Sequence, residues 1–481
     1  MNSPVPGSSV WESIKHPESF ELTESLFLRL LGFIYIAAFG SLLPQITGLV
    51  GARGIAPAVD VMHAIHQQVG WRALFYVPTV FWIGISDGGL VWVCALGCIA
   101  GAVLMLGFVP RTAAAICFVL YLSLVTIGQP FMGFQWDALL LESGFLALFA
   151  GIPSLVWAYR FLLFRLMFES GAVKLLSHDA NWRNLHALRF HFLTQPLPNP
   201  VAYYAYRAPA WMLDSATAAT LAIELVCPFF LFGPRLLRRA AAAMLISLQI
   251  LIILTGNYAF FNLLALALCL WALDDRTFAP LGRILRGRIR PVCLPLPRRA
   301  LTAGLVLIVT LGAVQVIELF LPTGGRPLRR VLSLIAPFEI VNPYGLFAVM
   351  TTTRPEIVIE GSNDQTDWRE YSFKYKPGEL HRGLPFVAPY QPRLDWQMWF
   401  AALGTYEENS WVGGLMYRLM TGELKVLELM DPPPFPAPPR YLRALVYDYR
   451  FTTPEERART GAVWQRTLLG TWYGPVSLTG R

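Results

Sequence analysis

The sequence predicts a polytopic α-helical membrane bundle followed by a C-terminal exoplasmic α+β domain that contains a sheet. Three observations predict it. Of 481 residues, 55% are hydrophobic and only 15% charged, a balance that suits solvation by lipid rather than water. Apolar runs long enough to cross a hydrocarbon core of about 30 Å recur through the first two thirds of the chain. From about Pro322 the composition changes to short β-like runs alternating with helical stretches. The formal net charge of +8 does not mark a nucleic-acid binder, because the arginines stand in short clusters beside apolar runs, as topology determinants do.

Nine apolar segments are expected to span, in order 26–46, 88–109, 113–129, 135–151, 155–176, 211–232, 238–256, 258–273 and 301–321. A further run, "RALFYVPTVFWIG" from Arg72, is too short and carries Pro78, so it reads as interfacial or re-entrant. Short loops rich in arginine stay cytoplasmic. "GPRLLRR" (233–239) and the loop 274–300, with Arg276, Arg283, Arg286, Arg288, Arg290, Arg298 and Arg299, therefore flank one hairpin on that side. Working outward, Arg111, Arg160 and the N-terminal segment 1–25 are cytoplasmic. The turn "GQPFMG", the loop 177–210 and the domain 322–481 are exoplasmic. The N-terminus does not resemble a cleavable signal, since the apolar run from Leu26 is long and lacks a small-residue cleavage site.

In the terminal domain "PEIVIEGS" and "REYSFKYKPG" read as strands, "WVGGLMYRLMTGELKVLEL" as helix and "DPPPFPAPPR" (431–440) as a stiff connector. About 150 residues suffice for an independent core. Cys94, Cys98, Cys117, Cys227 and Cys269 fall in apolar segments and Cys293 in a cytoplasmic loop, so the exoplasmic domain has no disulfide framework. Cys94 and Cys98 share a helix face and read as small apolar packing.

Inside the fourth segment stand two acids, Asp137 near its exoplasmic end and Glu142 about 7.5 Å deeper, about 140° apart around the axis. That angle is wrong for a catalytic carboxylate pair. The next segment runs back with Arg160, Arg165, Glu169 and Lys174, and a hairpin turn near Pro153 brings Glu142 to the depth of Arg160 or Arg165. Two readings stand. With Gln135 these residues form a buried polar network that sets helix register, or they line a polar cavity with a function. Lys174 keeps the second reading open, because it is the only lysine between Lys15 and Lys374 and a desolvated lysine can act as a base. It also suits snorkelling from the outer end of a helix.

The loop after it is aromatic and proline-stiffened, and Trp182, Tyr203, Tyr204 and Tyr206 suit a membrane interface. His178, His186 and His191 lack metal-site spacing, and no nucleotide, flavin or haem motif occurs, so neither a metal nor a cofactor is expected.

"FQWDALLLESGFLALF", "FLLFRLMFESGAVKL", "NWRNLHALRFHFLTQPLPNPVAYY", "IELVCPFFLFGPR", "GNYAFFNLLALALCLWALDD", "NPYGLFAVMTTTRPEIVIEGSND", "WREYSFKYKPG" and "PYQPRLDWQMWFAAL" follow one another between about Phe131 and Leu478. Together they resemble the lipase maturation factor family. The resemblance implies a polytopic membrane protein that helps secreted lipases of the dimeric lipoprotein-lipase type reach an active fold in the endoplasmic reticulum. It also implies that exoplasmic loops and the terminal domain meet the client. Carried onto this chain, the client-facing candidates are Trp182, His191, Gln195, Pro196 and Tyr203 in the loop. In the domain they are Tyr344, Trp396, Trp399, Phe400 and Tyr406, although "LDWQMWFAAL" also reads as a core helix. Eukaryotic members are expected to carry exoplasmic cysteines, which this chain lacks. Its arginine-rich, lysine-poor composition looks bacterial, which would place it in the cytoplasmic membrane with its domain in the periplasm.

Three classes of function remain at this point. A non-catalytic maturation factor uses the exoplasmic aromatics. A membrane enzyme, distantly similar to vitamin K-dependent carboxylase-like proteins, expects Lys174, Glu142 and Asp137 to converge on a cavity. A transporter ranks last, for want of a repeated half or matched broken helices.

Overall fold

The computed structural model describes residues 18–282, 297–321 and 326–478. Cys293, Arg283, Arg286, Arg288 and Arg290 lie outside the described residues. All nine apolar segments contain helix: α1 (Glu21–Leu42), α2 (Asp87–Leu106), α3 (Pro110–Ile127), α4 (Gln135–Ala147), α5 (Leu155–Leu176), α6 (Ala210–Val226), α7 (Arg235–Thr255), α8 (Phe261–Cys269) and α9 (Arg298–Phe320). Six of them, α1, α2, α3, α6 with its extension to Phe232, α7 and α9, are long and apolar enough to cross a membrane. That corrects the expectation of nine full spans. Helix α4 has 13 residues, α8 has 9, and α5 has 22 but carries four charges. The short helices are enclosed: Trp136, Asp137, Leu139, Leu140, Leu141 and Glu142 of α4 are all buried, and so is most of α8. Broken helices are tolerated at membrane depth when protein surrounds them.

Local chemistry sets the helix ends. Ser86 caps α2 by accepting from the Gly89 amide, Gly107 closes it at φ +79°, and Pro110 opens α3. Gly97 and Gly101 sit four apart on α2 and face α1. A Cβ at Gly32 would lie 2.4 Å from the Met105 amide nitrogen, and one at Gly97 would lie 2.4 Å from the Phe39 ring. Small residues let these two helices touch through their backbones.

The terminal domain holds one antiparallel sheet in the order β2-β1-β3-β4, formed by β1 (Pro355–Ser362), β2 (Arg369–Tyr371), β3 (Tyr441–Phe451) and β4 (Trp464–Ser477). Its helices include α10 (Arg326–Ile335), α11 (Arg393–Ala401) and α12 (Trp411–Thr421). "PEIVIEGS" forms β1, whereas only the first part of "REYSFKYKPG" forms a strand, and the long helical stretch breaks at Gly422, which adopts φ +70°. Buried residues of bundle and domain form one continuous apolar cluster from Phe27 to Ala444.

The bundle has two distinct ends. One end carries the C-terminus of α1, the start of α4, the 177–210 loop and the Thr255–Tyr258 turn, and the terminal domain seats on all of them. Gly48 makes part of this contact possible, since a Cβ there would lie 2.3 Å from the Lys425 carbonyl oxygen. The run after Arg72 lies at this end as short helical turns, with Trp71, Tyr76 and Ile83 exposed and Phe75 against Phe338 at 5.3 Å. The other end gathers Glu18, Arg111, Arg235, Arg238 and Asp274.

Candidate functional site

The acids inside α4 answer to the terminal domain. Arg393, the first residue of α11, is fully buried and donates from Nη1 to Asp137 Oδ2 and from Nη2 to Asp137 Oδ1, both at 2.9 Å. The same guanidinium donates to the Phe131 carbonyl at 2.8 Å and to the Tyr121 hydroxyl at 3.1 Å, and that hydroxyl donates in turn to Asp137. The Arg393 amide reaches Gln45 Oε1 at 2.9 Å, and Gln45 donates back to the Gln391 carbonyl at 2.8 Å. A planar fork matched to a carboxylate fixes direction as well as distance. Asp137 is 0% exposed and meets protein on every side rather than water.

Five residues deeper, Glu142 and Glu169 hold Arg165 between them, at 2.6 Å and 3.4 Å. The free carboxylate oxygens take the "NPYG" segment of the domain. Glu142 Oε2 accepts from the Tyr344 hydroxyl at 2.8 Å and the Asn342 amide at 3.1 Å, and Glu169 Oε2 accepts from the Tyr344 amide at 2.7 Å. Arg165 donates to the Asn342 carbonyl, and Gln135 accepts from the Gly345 amide at 3.1 Å. A further ion pair stands apart: Lys174 Nζ bonds Glu224 of α6 at 2.9 and 2.7 Å, with the Trp182 ring 5.2 Å away.

The 177–210 loop is bonded to the domain along its length. Arg354, 1% exposed, donates to the carbonyls of Leu193, Gln195 and Pro196. Trp399 Nε1 donates to the Thr194 carbonyl at 3.0 Å, the Tyr203 hydroxyl to Thr452 at 3.1 Å, and Trp182 Nε1 to Phe347 at 2.8 Å. Asn257 bridges the Pro385 carbonyl and the Val387 amide.

The Tyr258 hydroxyl donates to Gln195 Oε1 at 2.9 Å, so the proton shared with His191 at 3.1 Å comes from His191 Nε2. Burial, with the Lys174 cation adding to it, pushes the His191 imidazole down to about 4, and this histidine is neutral at physiological pH.

The lipase maturation factor transmembrane domain matches residues 22–280, and the lipase maturation factor C-terminal domain matches residues 340–474. Lipase maturation factor 1 of Bos taurus is 34% identical over 509 residues, which cover 95% of this chain and 90% of the relative. The chain belongs to the lipase maturation factor family. Lipase maturation factor 1 of Homo sapiens is 33% identical with 96% and 89% coverage, and lipase maturation factor 2 of Gallus gallus is 34% identical with 92% and 79% coverage. No solved structure matches the chain.

In this family member the polar residues that the sequence singles out do not gather at one point. Asp137, Glu142 and Lys174 each have a different cationic or anionic partner, so the convergence that an intramembrane enzyme expects is not formed. Arg160 leaves the network altogether. It bonds the Trp271 carbonyl at 2.8 Å, and Glu142 takes Arg165 instead because α5 presents Arg165 at the depth of Glu142.

Of the aromatic and loop candidates, Trp182, Gln195, Pro196, Tyr203, Tyr344, Trp396 and Trp399 are buried, and His191 and Tyr406 are half-buried. Phe400 alone among these ten is exposed, at 42%. Helix α11 is a core helix whose tryptophans lie against Trp136 and the loop. Among the described residues no group of three or more histidines, cysteines and acids is placed to hold a metal ion.

Sequence reasoning missed Arg393, Arg354, Glu224 and Asn257. Glu224 had a signal, since it stands in an apolar helix as Lys174 does, and isolated charges of opposite sign in lipid-solvated helices seek each other.

Proposed function

We propose that this chain is a membrane-bound maturation factor for an exported protein, of the lipase class named in its relatives, and that its exoplasmic face is the end bearing the terminal domain. One observation carries the reading: the family's two domains are joined by buried hydrogen bonds and ion pairs at the bundle end opposite the arginine clusters. Arginine-rich ends stay in the cytoplasm, which puts this joint where an exported chain emerges. The N-terminus is then cytoplasmic. The compartment is the endoplasmic reticulum in a eukaryote and the cytoplasmic membrane in a bacterium.

The client-contacting surface runs from Phe400 and Leu403 through Tyr406 to the edge strand β4. Leu403, Leu468 and Leu469 are exposed, and Tyr406 stacks on Tyr473 at 3.6 Å. An exposed edge strand that carries no charge from Thr467 to Ser477 and has protruding leucines suits an incompletely folded chain. The buried candidates, Trp182, Gln195, Pro196, Tyr203, Tyr344, Trp396 and Trp399, together with the half-buried His191, hold that surface in place.

The test is photocrosslinking from positions 400, 403 and 468 in cells, with captured proteins identified by mass spectrometry. Capture of an exported hydrolase, reduced at least fivefold by Leu468→Arg with Leu469→Arg while thermal stability stays unchanged, supports the reading. Crosslinks confined to lipid and to this chain would overturn it.

A further inference from the structure

Two short segments at the domain-bearing end of the bundle turn apolar side chains outward, and each is fastened where a membrane-spanning helix ends. Helix α10 is tied to α9, since Arg329 Nε donates to Glu318 at 3.0 Å, two residues before α9 ends at Phe320. The run after Arg72 is tied to α3. The Val80 amide donates to Ser123 Oγ at 3.1 Å and Thr79 Oγ1 donates to the Ser123 carbonyl at 3.2 Å, one turn before α3 ends at Ile127.

The faces of α10 do not suit a helix surrounded by water. Arg329 and Ser333 stand four positions apart on one face, and that face carries contacts with the bundle: Arg329 meets Glu318, and Ser333 lines a cavity of about 450 Å³ together with Gln129 and Gln315. Val331 and Leu334, three positions apart, share the side turned away from α9, where they are 46% and 55% exposed. A helix at a water surface sends its polar face out and its apolar face in. Exposing two branched apolar side chains while an arginine is held against the protein suits lipid on the outer side.

The second segment agrees. Trp71, Leu74 and Tyr76 are exposed, and the Phe75 ring packs at 5.3 Å on Phe338, just beyond α10, which joins the two segments into one ledge. Ile317 and Phe320 of α9, in the same turn as Glu318, are exposed as well, so the ledge continues the apolar surface of a spanning helix. Tryptophan and tyrosine at this level belong to the interfacial aromatic belt. The charge on the ledge has one sign. Arg72 and Arg330 are exposed with no hydrogen-bond or ion-pair partner among the described residues, and no acid occurs in 70–85 or 326–338.

We propose that this ledge lies in the headgroup layer of the leaflet on the side of the terminal domain and binds anionic phospholipid. Trp71, Leu74, Val331 and Leu334 enter the acyl boundary, while Arg72 and Arg330 reach up to the phosphates as long basic side chains do at an interface. Two arginines without a protein counter-ion favour a lipid with net negative charge over a zwitterionic one. The joint between bundle and domain is then flanked by lipid on this side.

Photocrosslinking from positions 331 and 334 of the full chain, in nanodiscs made from equal parts of phosphatidylcholine and phosphatidylglycerol with the same acyl chains, tests this by mass spectrometry of the adducts. Lipid adducts are expected at both positions, with phosphatidylglycerol captured about threefold more than phosphatidylcholine. Arg72→Gln combined with Arg330→Gln, two changes at exposed side chains, is expected to bring that ratio to one while the adducts persist. Adducts chiefly to protein, whether an exported chain or a second copy of this one, or no adduct to lipid, overturn the lipid-facing ledge. A ratio of one in the unaltered chain, or a preference that survives the double change, overturns the role of the two arginines.

Discussion

Arg393 and Asp137 stand 256 positions apart in the chain, yet they meet as a two-pronged pair at 2.9 Å on both prongs, with neither side chain more than 1% exposed. The pair binds the terminal domain to the first turn of α4. Removing one partner leaves a charge buried alone, which costs about 3–5 kcal/mol. Asp137→Ala and Arg393→Ala are each expected to lower the unfolding temperature in detergent strongly. Asp137→Leu combined with Arg393→Met is expected to recover much of the loss, since two apolar groups leave no charge buried alone, although the Tyr121 hydroxyl and the Phe131 carbonyl lose their partners. Losses that simply add in the double variant would show that the pair is not a unit.

Tyr344 tests the second socket with a smaller change. Its hydroxyl donates to Glu142 at 2.8 Å while its amide donates to Glu169 at 2.7 Å, so Tyr344→Phe removes one bond to a carboxylate and keeps the other. A hydrogen bond to a charged group contributes about 1.5–3 kcal/mol. The expected result is a measurable drop in stability and faster amide exchange in residues 340–347. Unchanged exchange there would mean that the hydroxyl does not hold the "NPYG" segment.

The helices of the bundle were legible because lipid imposes a pattern that a sequence displays directly: uninterrupted apolar runs and arginines sorted to one end. All nine runs are helical, and the hairpin at Pro153 and the pairing of Glu142 with an arginine follow from depth along neighbouring helices. What stayed hidden depends on long-range docking. No local pattern says that Asp137 belongs to Arg393 or that the loop carbonyls at 193–196 belong to Arg354. The aromatic candidates misled for a related reason. Tryptophan and tyrosine suit an exposed contact surface and a buried joint equally well, and the joint between domain and bundle consumed Trp182, Tyr203, Trp396 and Trp399.

Lys174 and Glu224 connect α5 to α6 and stand apart from the domain sockets, so they report on the bundle alone. Lys174→Met is expected to destabilise by about 3–5 kcal/mol, because Glu224 is then buried without a cation. Exchanging the two, Lys174→Glu with Glu224→Lys, restores the attraction and is expected to recover folded yield where either single change does not. The measurement is the monodisperse fraction by size-exclusion chromatography in one detergent. An exchanged variant no better than the singles would assign Lys174 a role other than pairing.

His191 gives the protein a pH dependence with a definite sign. Its folded value is about 4, below the ordinary 6.5, because burial among Phe192, Tyr258 and Phe347 disfavours the imidazolium and Lys174 adds to that. A depressed histidine contributes stability that is full above about pH 6.5, since between the two values the unfolded chain binds the proton that the folded chain refuses. That contribution is lost as pH falls from 6.5 through 4. The unfolding temperature of the intact chain is therefore expected to fall between pH 7 and pH 4.5. His191→Gln cannot titrate and can still donate to Tyr258, so its decline is expected to be shallower, with the gap between the two proteins narrowing as pH drops. Parallel curves for the two proteins would place the titrating group elsewhere.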